Sequence, residues 1–226
     1  MNGCLGGTAE TMTQAELTAQ VDAAMTRAPF IPVVVIKDAG HAAPLSRALA
    51  RGGVPVIEIT LRTEAALDAI RAAVDEAPEV LVGAGTLTSP RDVALAQAAG
   101  AAFGVSPGLT PDLLQAANDA GFPLLPGVAT ASEIMTGLAH GLTRFKLFPA
   151  VPAGGYELLK SLAGPFSQVR FCPTGGITLE TAPKFLSLPN VACVGGSWLA
   201  PQAMMDAGDW DGIERIARES VEKVAG

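Results

Sequence analysis

Short apolar runs of strand length alternate along the chain with longer Ala-rich runs whose apolar residues recur at helical spacing. The strand candidates are 31–36, 54–60, 81–84, 103–105, 123–125, 144–147, 170–172 and 191–195. A first helix is expected over 14–27. Others fall near 42–50, 64–77, 90–99, 111–120, 132–140, 156–163 and 179–188, and a last one over about 211–224. Several boundaries have a local cause. In "TSP", Ser89 is placed to cap a helix that has Pro90 at its first position, and "LTP" repeats the device with Thr110 and Pro111. "AAG" and "DAG" put Gly100 and Gly121 just past the ends of the helices so started.

Eight β-then-α units imply a parallel sheet, and that number of repeats points to a closed (β/α)8 barrel, a TIM barrel with an additional N-terminal helix. The rival is an open doubly wound sheet, which would place a GxGxxG turn after its first strand; none follows here. No Pro/Gly/Ser-rich linker divides the chain, so residues 13–226 read as one barrel domain. Residues 1–12 read as a disordered extension, with Met12 as an alternative start.

Composition narrows the function. Of 226 residues, 49% are apolar and 16% charged, with a net charge of −7. There is no Lys/Arg run, so the basic footprint of a nucleic-acid binder or of a membrane-surface patch is missing. An anionic substrate would need local groups to hold it against the global field. Cys4, Cys172 and Cys193 are odd in number and widely spaced, which suits a reducing cytoplasm rather than a disulfide framework. The N-terminus lacks the basic and apolar regions of a signal peptide. No apolar run is long enough and free enough of Gly, Pro and charge to span a membrane.

Against this background a lysine in the strand "RFKLFPA" stands out, since lysine is depleted in strands and seldom buried alone. Side chains alternate faces along a strand. Phe145 and Leu147 then face the outer helices, while Arg144, Lys146 and Phe148 face the interior. In "VPVIEITLRT" the same rule sends Ile57, Ile59 and Leu61 outward and Val56, Glu58, Thr60 and Arg62 inward. One amine and one carboxylate are thus expected inside one barrel, near the C-terminal strand ends where barrel enzymes keep their chemistry. The competing reading is a structural ion pair. A free lysine, with a pKa of about 10.4, is almost wholly protonated at neutral pH. Apolar surroundings disfavour the charged form, and a neutral amine is what Schiff-base chemistry requires. Of the other lysines, Lys160, Lys184 and Lys223 fall on expected helices and read as solvated; Lys37 falls on a loop after the first strand.

Two glycine-rich turns, "CPTGGIT" and "CVGGSWL", follow the last two strands. Barrel loops at these positions commonly bind phosphate, because glycine lets backbone N–H groups approach an anion. Gly175, Gly176, Gly195, Gly196 and the Ser197 hydroxyl are the candidates. In "VGAGTLTSP", Gly83 and Gly85 leave room inside the barrel and Thr86 presents a hydroxyl at the rim. "GVSPGLTP" and "LPGVAT" are loops at the same face.

These stretches, with "GPFSQVRFCPTGGIT" as the longest block, closely resemble the 2-keto-3-deoxy-6-phosphogluconate (KDPG) aldolases, which also cleave 4-hydroxy-2-oxoglutarate (KHG). The likeness runs in order from about Pro32 to the C-terminus, without a large insertion. It implies a class I aldolase of carbohydrate metabolism (the Entner–Doudoroff pathway), usually a homotrimer, that needs no metal or other cofactor. Its substrate would be a phosphorylated keto acid and one product pyruvate. Carried over, Lys146 is the Schiff-base lysine and Glu58 the acid/base. Arg62 and Thr86 bind the carboxylate of the pyruvate half. Pro107 and Phe148 line that pocket, and Thr174 orients the substrate. Gly175, Gly176, Gly196 and Ser197 hold the phosphate. Leu147 stands where relatives often have Phe, on the outward face.

Three rivals remain at this level. An aldolase for the 6-phosphogalactonate epimer differs only in configuration at carbon 4. A metal-dependent aldolase or phosphosugar epimerase would need His, Asp or Glu ligands at strand ends; the two histidines, His41 and His140, fall on expected loops or helices. A non-catalytic phosphosugar-binding protein would not need both Glu58 and Lys146 inside the barrel.

Overall fold

The capped helix starts fold as their residues dictate. Ser89 accepts from the Asp92 N–H and Asp92 reciprocates on the backbone of Ser89, closing a capping box ahead of Pro90. Thr110 caps the helix that begins at Pro111. Gly100 and Gly121 end these helices with φ of +88° and +58°. The computed structural model describes residues 12–225; the expected extension 1–12, with Cys4, lies outside it up to residue 11.

In chain order the elements are α1 (Gln14–Thr26), β1 (Phe30–Val34), α2 (Ala42–Arg51), β2 (Val56–Thr60), α3 (Ala66–Glu76), β3 (Leu81–Gly85), α4 (Pro90–Ala98), β4 (Phe103–Val105) and α5 (Pro111–Asp119). Then come β5 (Leu124–Leu125), β6 (Gly127–Val128), α6 (Ala131–Ala139), β7 (Arg144–Leu147), α7 (Gly155–Leu162), β8 (Arg170–Pro173), α8 (Ala182–Leu186), β9 (Val194–Gly196), α9 (Gln202–Ala207) and α10 (Trp210–Ala225). All pairings are parallel. One run is β5-β4-β3-β2-β1-β9 and the other β6-β7-β8. Bridges Phe171↔Val191 and Thr174↔Gly195 join β8 to β9, and Pro126 alone separates β5 from β6. The ring therefore closes as a (β/α)8 barrel, with β5 and β6 as two halves of its fifth strand.

Three departures from the sequence expectation have local causes. The fifth strand breaks at Pro126, which has no N–H to donate to a ladder; its carbonyl accepts from the Lys146 N–H, so pairing passes there from β4 to β7. The last strand is paired continuously only from Val194. Its offset to β8 changes by one residue between the two bridges, as at a β-bulge. Helix α3 starts at Ala66 rather than 64: the Thr63 hydroxyl is turned to donate to the Ile36 carbonyl just past the end of β1, and no side chain caps the helix start. The short α9 was not among the expected helices.

The alternation rule holds on both key strands. Phe145 packs outward, its ring filling the space a side chain at Gly137 of α6 would need. Inside, the Phe103 ring lies over Gly83. Helix α1 buries Leu17, Val21, Ala24 and Met25 and touches β4, β5 and β7. Its Asp22 forms a two-pronged pair with Arg144, whose second nitrogen donates at 2.8 Å. Arg144 thereby ties the N-terminal helix to the strand that carries Lys146.

Candidate active site

Lys146 and Glu58 meet inside the barrel. The Lys146 Nζ donates to both carboxylate oxygens of Glu58, at 3.2 and 3.3 Å, and the two residues are 4% and 3% exposed. They come from strands far apart in sequence, placed by register: Glu58 pairs laterally with Val33 and Gly83, and Lys146 with Gly127 and Cys172. Gly85 makes room for the carboxylate, since a Cβ built there would lie 2.2 Å from Glu58 Oε1. The Phe148 ring sits with its centroid 5.3 Å from the Lys146 nitrogen, so the amine has an aromatic wall on one side and a carboxylate on the other.

Beside the pair, the Arg62 Nε donates to Thr86 Oγ1 at 3.0 Å. Thr86 has φ +64°. For a β-branched residue this is a strained conformation, kept only where the surroundings over-determine it. It directs the hydroxyl toward the arginine at the barrel mouth. Pro107 reaches the same face from the loop after β4, where its carbonyl crosses so close to Gly127 that a Cβ there would lie 2.3 Å from it.

The mouth opens into a cavity of about 200 Å³ lined by Val33, Val35, Arg62, Phe148, Thr174, the Gly175–Gly176 and Gly195–Gly196 pairs, Ile177 and Ser197. Gly175 and Gly176 have φ of +104° and +79°, a turn that side-chain-bearing residues rarely adopt. The segment is tied to the end of β7 by Ala150 N–H to Thr174 C=O and Val151 N–H to Gly175 C=O. Thr174 fills the inner side of Gly195, where a Cβ would lie 2.0 Å from its hydroxyl. The cavity brings the expected phosphate residues together with Arg62, Phe148 and Thr174, whereas Thr86, Pro107, Lys146 and Glu58 are not part of its lining. Arg62 links to Thr86 by its hydrogen bond, and Phe148 to Lys146 by its ring.

Other candidates fall elsewhere. His41 stacks edge-on to Trp210, with ring centroids 5.6 Å apart; His140 closes α6 with its Nδ1 2.8 Å from the Thr136 carbonyl. Lys160, Lys184 and Lys223 lie exposed on helices, and Lys37 is exposed in the bend after β1. One buried feature was not singled out in the sequence. The Cys172 thiol, next to Lys146 in register, lies 3.9 Å from the Thr174 hydroxyl. The neighbouring Cys193 thiol, with Lys146 and Thr174, holds Cys172 low against its burial, and Cys172 together with burial pushes Cys193 up. The signal was available, because Cys172 shares the inward parity of Lys146 on the neighbouring strand.

The family model for KDPG and KHG aldolase matches residues 21–216. The KHG/KDPG aldolase of Escherichia coli is 52% identical over 198 residues, covering 88% of this chain and 93% of that protein. A solved structure of the Legionella pneumophila KDPG aldolase, with pyruvate captured as a covalent carbinolamine, is 45% identical; it superposes with a TM-score of 0.86 over 88% of this chain and 97% of that one. The Zymomonas mobilis KDPG aldolase with 3-phosphoglycerate gives 48% identity and a TM-score of 0.85, over 90% and 96%. With these matches spanning the barrel and its site, the chain belongs to the KDPG and KHG aldolase family.

Proposed function

We propose that this chain is a class I aldolase that cleaves KDPG to pyruvate and glyceraldehyde 3-phosphate, and KHG to pyruvate and glyoxylate. Residues 13–226 form its single catalytic domain. The observation that carries the reading is the buried Lys146 amine held within 3.3 Å of both oxygens of Glu58. The relatives that share the fold and half the sequence include one that forms a covalent carbinolamine with pyruvate and one seen with a phosphorylated acid.

In this mechanism the Lys146 nitrogen attacks carbon 2 of the keto acid. Glu58 relays protons as the carbinolamine loses water and becomes the cationic imine. Glu58, through a water, then takes the proton from the carbon 4 hydroxyl. The bond between carbons 3 and 4 breaks, its electron pair passes to the imine nitrogen, and the aldehyde leaves. The resulting enamine takes a proton at carbon 3 from Glu58, and water hydrolyses the imine to pyruvate and free Lys146. One carboxylate beside one amine suits this series, since it accepts and returns a proton at successive steps. Arg62 offers a planar fork to the substrate carboxylate, with Thr86 beside it; Pro107 and Phe148 wall the pyruvate half. Thr174 orients the substrate. The Gly175, Gly176 and Gly196 backbone and Ser197 receive the phosphate. No step calls for a metal or another cofactor. Family resemblance supports a homotrimer working in the cytoplasm, and light scattering should return the mass of three chains.

Pyruvate release from KDPG, from its 6-phosphogalactonate epimer and from KHG, measured with and without EDTA, tests the proposal. Cleavage of KDPG and KHG unaffected by EDTA is expected. Preference for the epimer would move the assignment to that aldolase, and loss of activity with EDTA would overturn the imine route.

A further inference from the structure

Gly195 and Gly196 face opposite sides of the barrel wall. Thr174 occupies the inner side of Gly195, and the Trp198 ring occupies the outer side of Gly196, where a Cβ would lie 2.0 Å from it. The glycine pair is therefore clamped between one side chain in the cleft and one outside it. Trp198 in turn is fixed from two directions. Its ring meets Phe30 of β1 edge-on, with centroids 5.4 Å apart, and its Nε1 donates to the Ser220 hydroxyl of α10 at 3.3 Å. Ser220 is fully buried and Phe30 likewise. Between these anchors the exposed Ser197 projects into the cleft beside Gly196.

We propose that Trp198, held by Ser220, is a positioning residue that aims the Gly196–Ser197 segment at the substrate phosphate and so sets the preference for phosphorylated over unphosphorylated substrates. The inference rests on the proposed function for its substrate. Trp198 is not among the residues that line the cleft. Its effect passes through the backbone of the segment, because hydrogen bonds to an anion weaken steeply when their donors are turned away from it. A ring wedged under Gly196 prevents that rotation, and the Ser220 bond keeps the ring from sliding along the wall.

The test uses Ser220→Ala, which removes only the anchor, and Trp198→Phe, which keeps an aromatic ring against Phe30. KDPG and KHG cleavage is measured for each, with inorganic phosphate binding followed separately by calorimetry. Misaiming one charge-assisted hydrogen bond should raise the KM for KDPG and the phosphate dissociation constant by about 10-fold. The kcat on KDPG and both constants on KHG, which carries no phosphate, should stay within about 2-fold. A merely structural role would lower activity on both substrates together, and that result, or an unchanged KM for KDPG, overturns the inference. If the wild-type enzyme does not cleave KDPG, the proposed function fails instead. The phosphate titration then still decides the inference: weaker binding in the variants upholds it, and equal binding overturns it.

Discussion

The position of Glu58 depends on an absence of side chain at Gly85, and Gly85→Ala tests that dependence. The added methyl would lie 2.2 Å from Glu58 Oε1, 2.6 Å from its Cγ and 2.7 Å from its Cδ, where ordinary contact begins at 3.4 Å. The conflict is not confined to the flexible tip, so the whole carboxylate must retreat by roughly 1 Å. Gly85 does not occupy the left-handed region, so alanine costs nothing there in backbone strain. The carboxylate now sits 3.2 and 3.3 Å from the Lys146 nitrogen; a retreat of that size puts it beyond a productive proton relay. Misplacement by about 1 Å costs on the order of 100-fold in rate. Overpacking should cost about 1–3 kcal/mol of stability, which leaves the barrel folded at 25 °C. Stopped-assay kcat on KDPG, alongside the urea midpoint, separates the two effects. A Gly85→Ala enzyme with wild-type kcat would refute the claim that Glu58 acts from its observed position.

Further expectations follow from the same geometry. Glu58→Gln keeps the shape of the carboxylate but cannot carry the proton, and kcat should fall by about 10²–10⁴-fold; a smaller loss would assign the relay to another group. Thr86→Gly relieves the strained φ of +64° and removes the hydroxyl that accepts from Arg62. Stability should change by less than about 1 kcal/mol while the KM for pyruvate in the reverse reaction rises; an unchanged KM would remove Thr86 from the site. In α6, burial pushes the Glu133 carboxyl up, and hydrogen bonds from the Ala129 N–H, the Thr130 hydroxyl and the Thr130 N–H outweigh it and hold the carboxyl below its ordinary 4.5. A lowered acid contributes stability above its unfolded value and loses it as pH falls through the folded one. Glu133→Ala should therefore cost roughly 0.5–1 kcal/mol at pH 7, after allowance for solvent screening. Urea titrations should show the gap closing below pH 4.5, and a gap that persists at low pH would contradict the linkage.

Much of this site follows from parity and order alone. Period-two alternation sends both Glu58 and Lys146 inward, and counting strands places the two glycine pairs at the seventh and eighth positions, where the cleft is found. Caps and glycine stops fix helix ends near Ser89, Thr110, Gly100 and Gly121 because they act through neighbours in sequence. What the sequence leaves hidden depends on partners far along the chain. The Asp22–Arg144 pair, the change of pairing at Pro126 and the Trp198–Ser220 anchor each join segments whose proximity only the closed barrel creates. Thr86 is a local exception: nothing in "GAGTLT" signals a left-handed β-branched residue, because the propensity it violates is overridden by Arg62 and the surrounding strands. Helix α9 is short, with little periodic pattern to announce it.

The central claim is that the amine of Lys146 forms the imine, and borohydride reduction in the presence of pyruvate tests it most directly. After reduction, digestion and peptide mass spectrometry, the account predicts one pyruvate-derived adduct per chain, on the peptide that contains Lys146, and none in Lys146→Met. An adduct at Lys37, or no adduct at all with active enzyme, would contradict it.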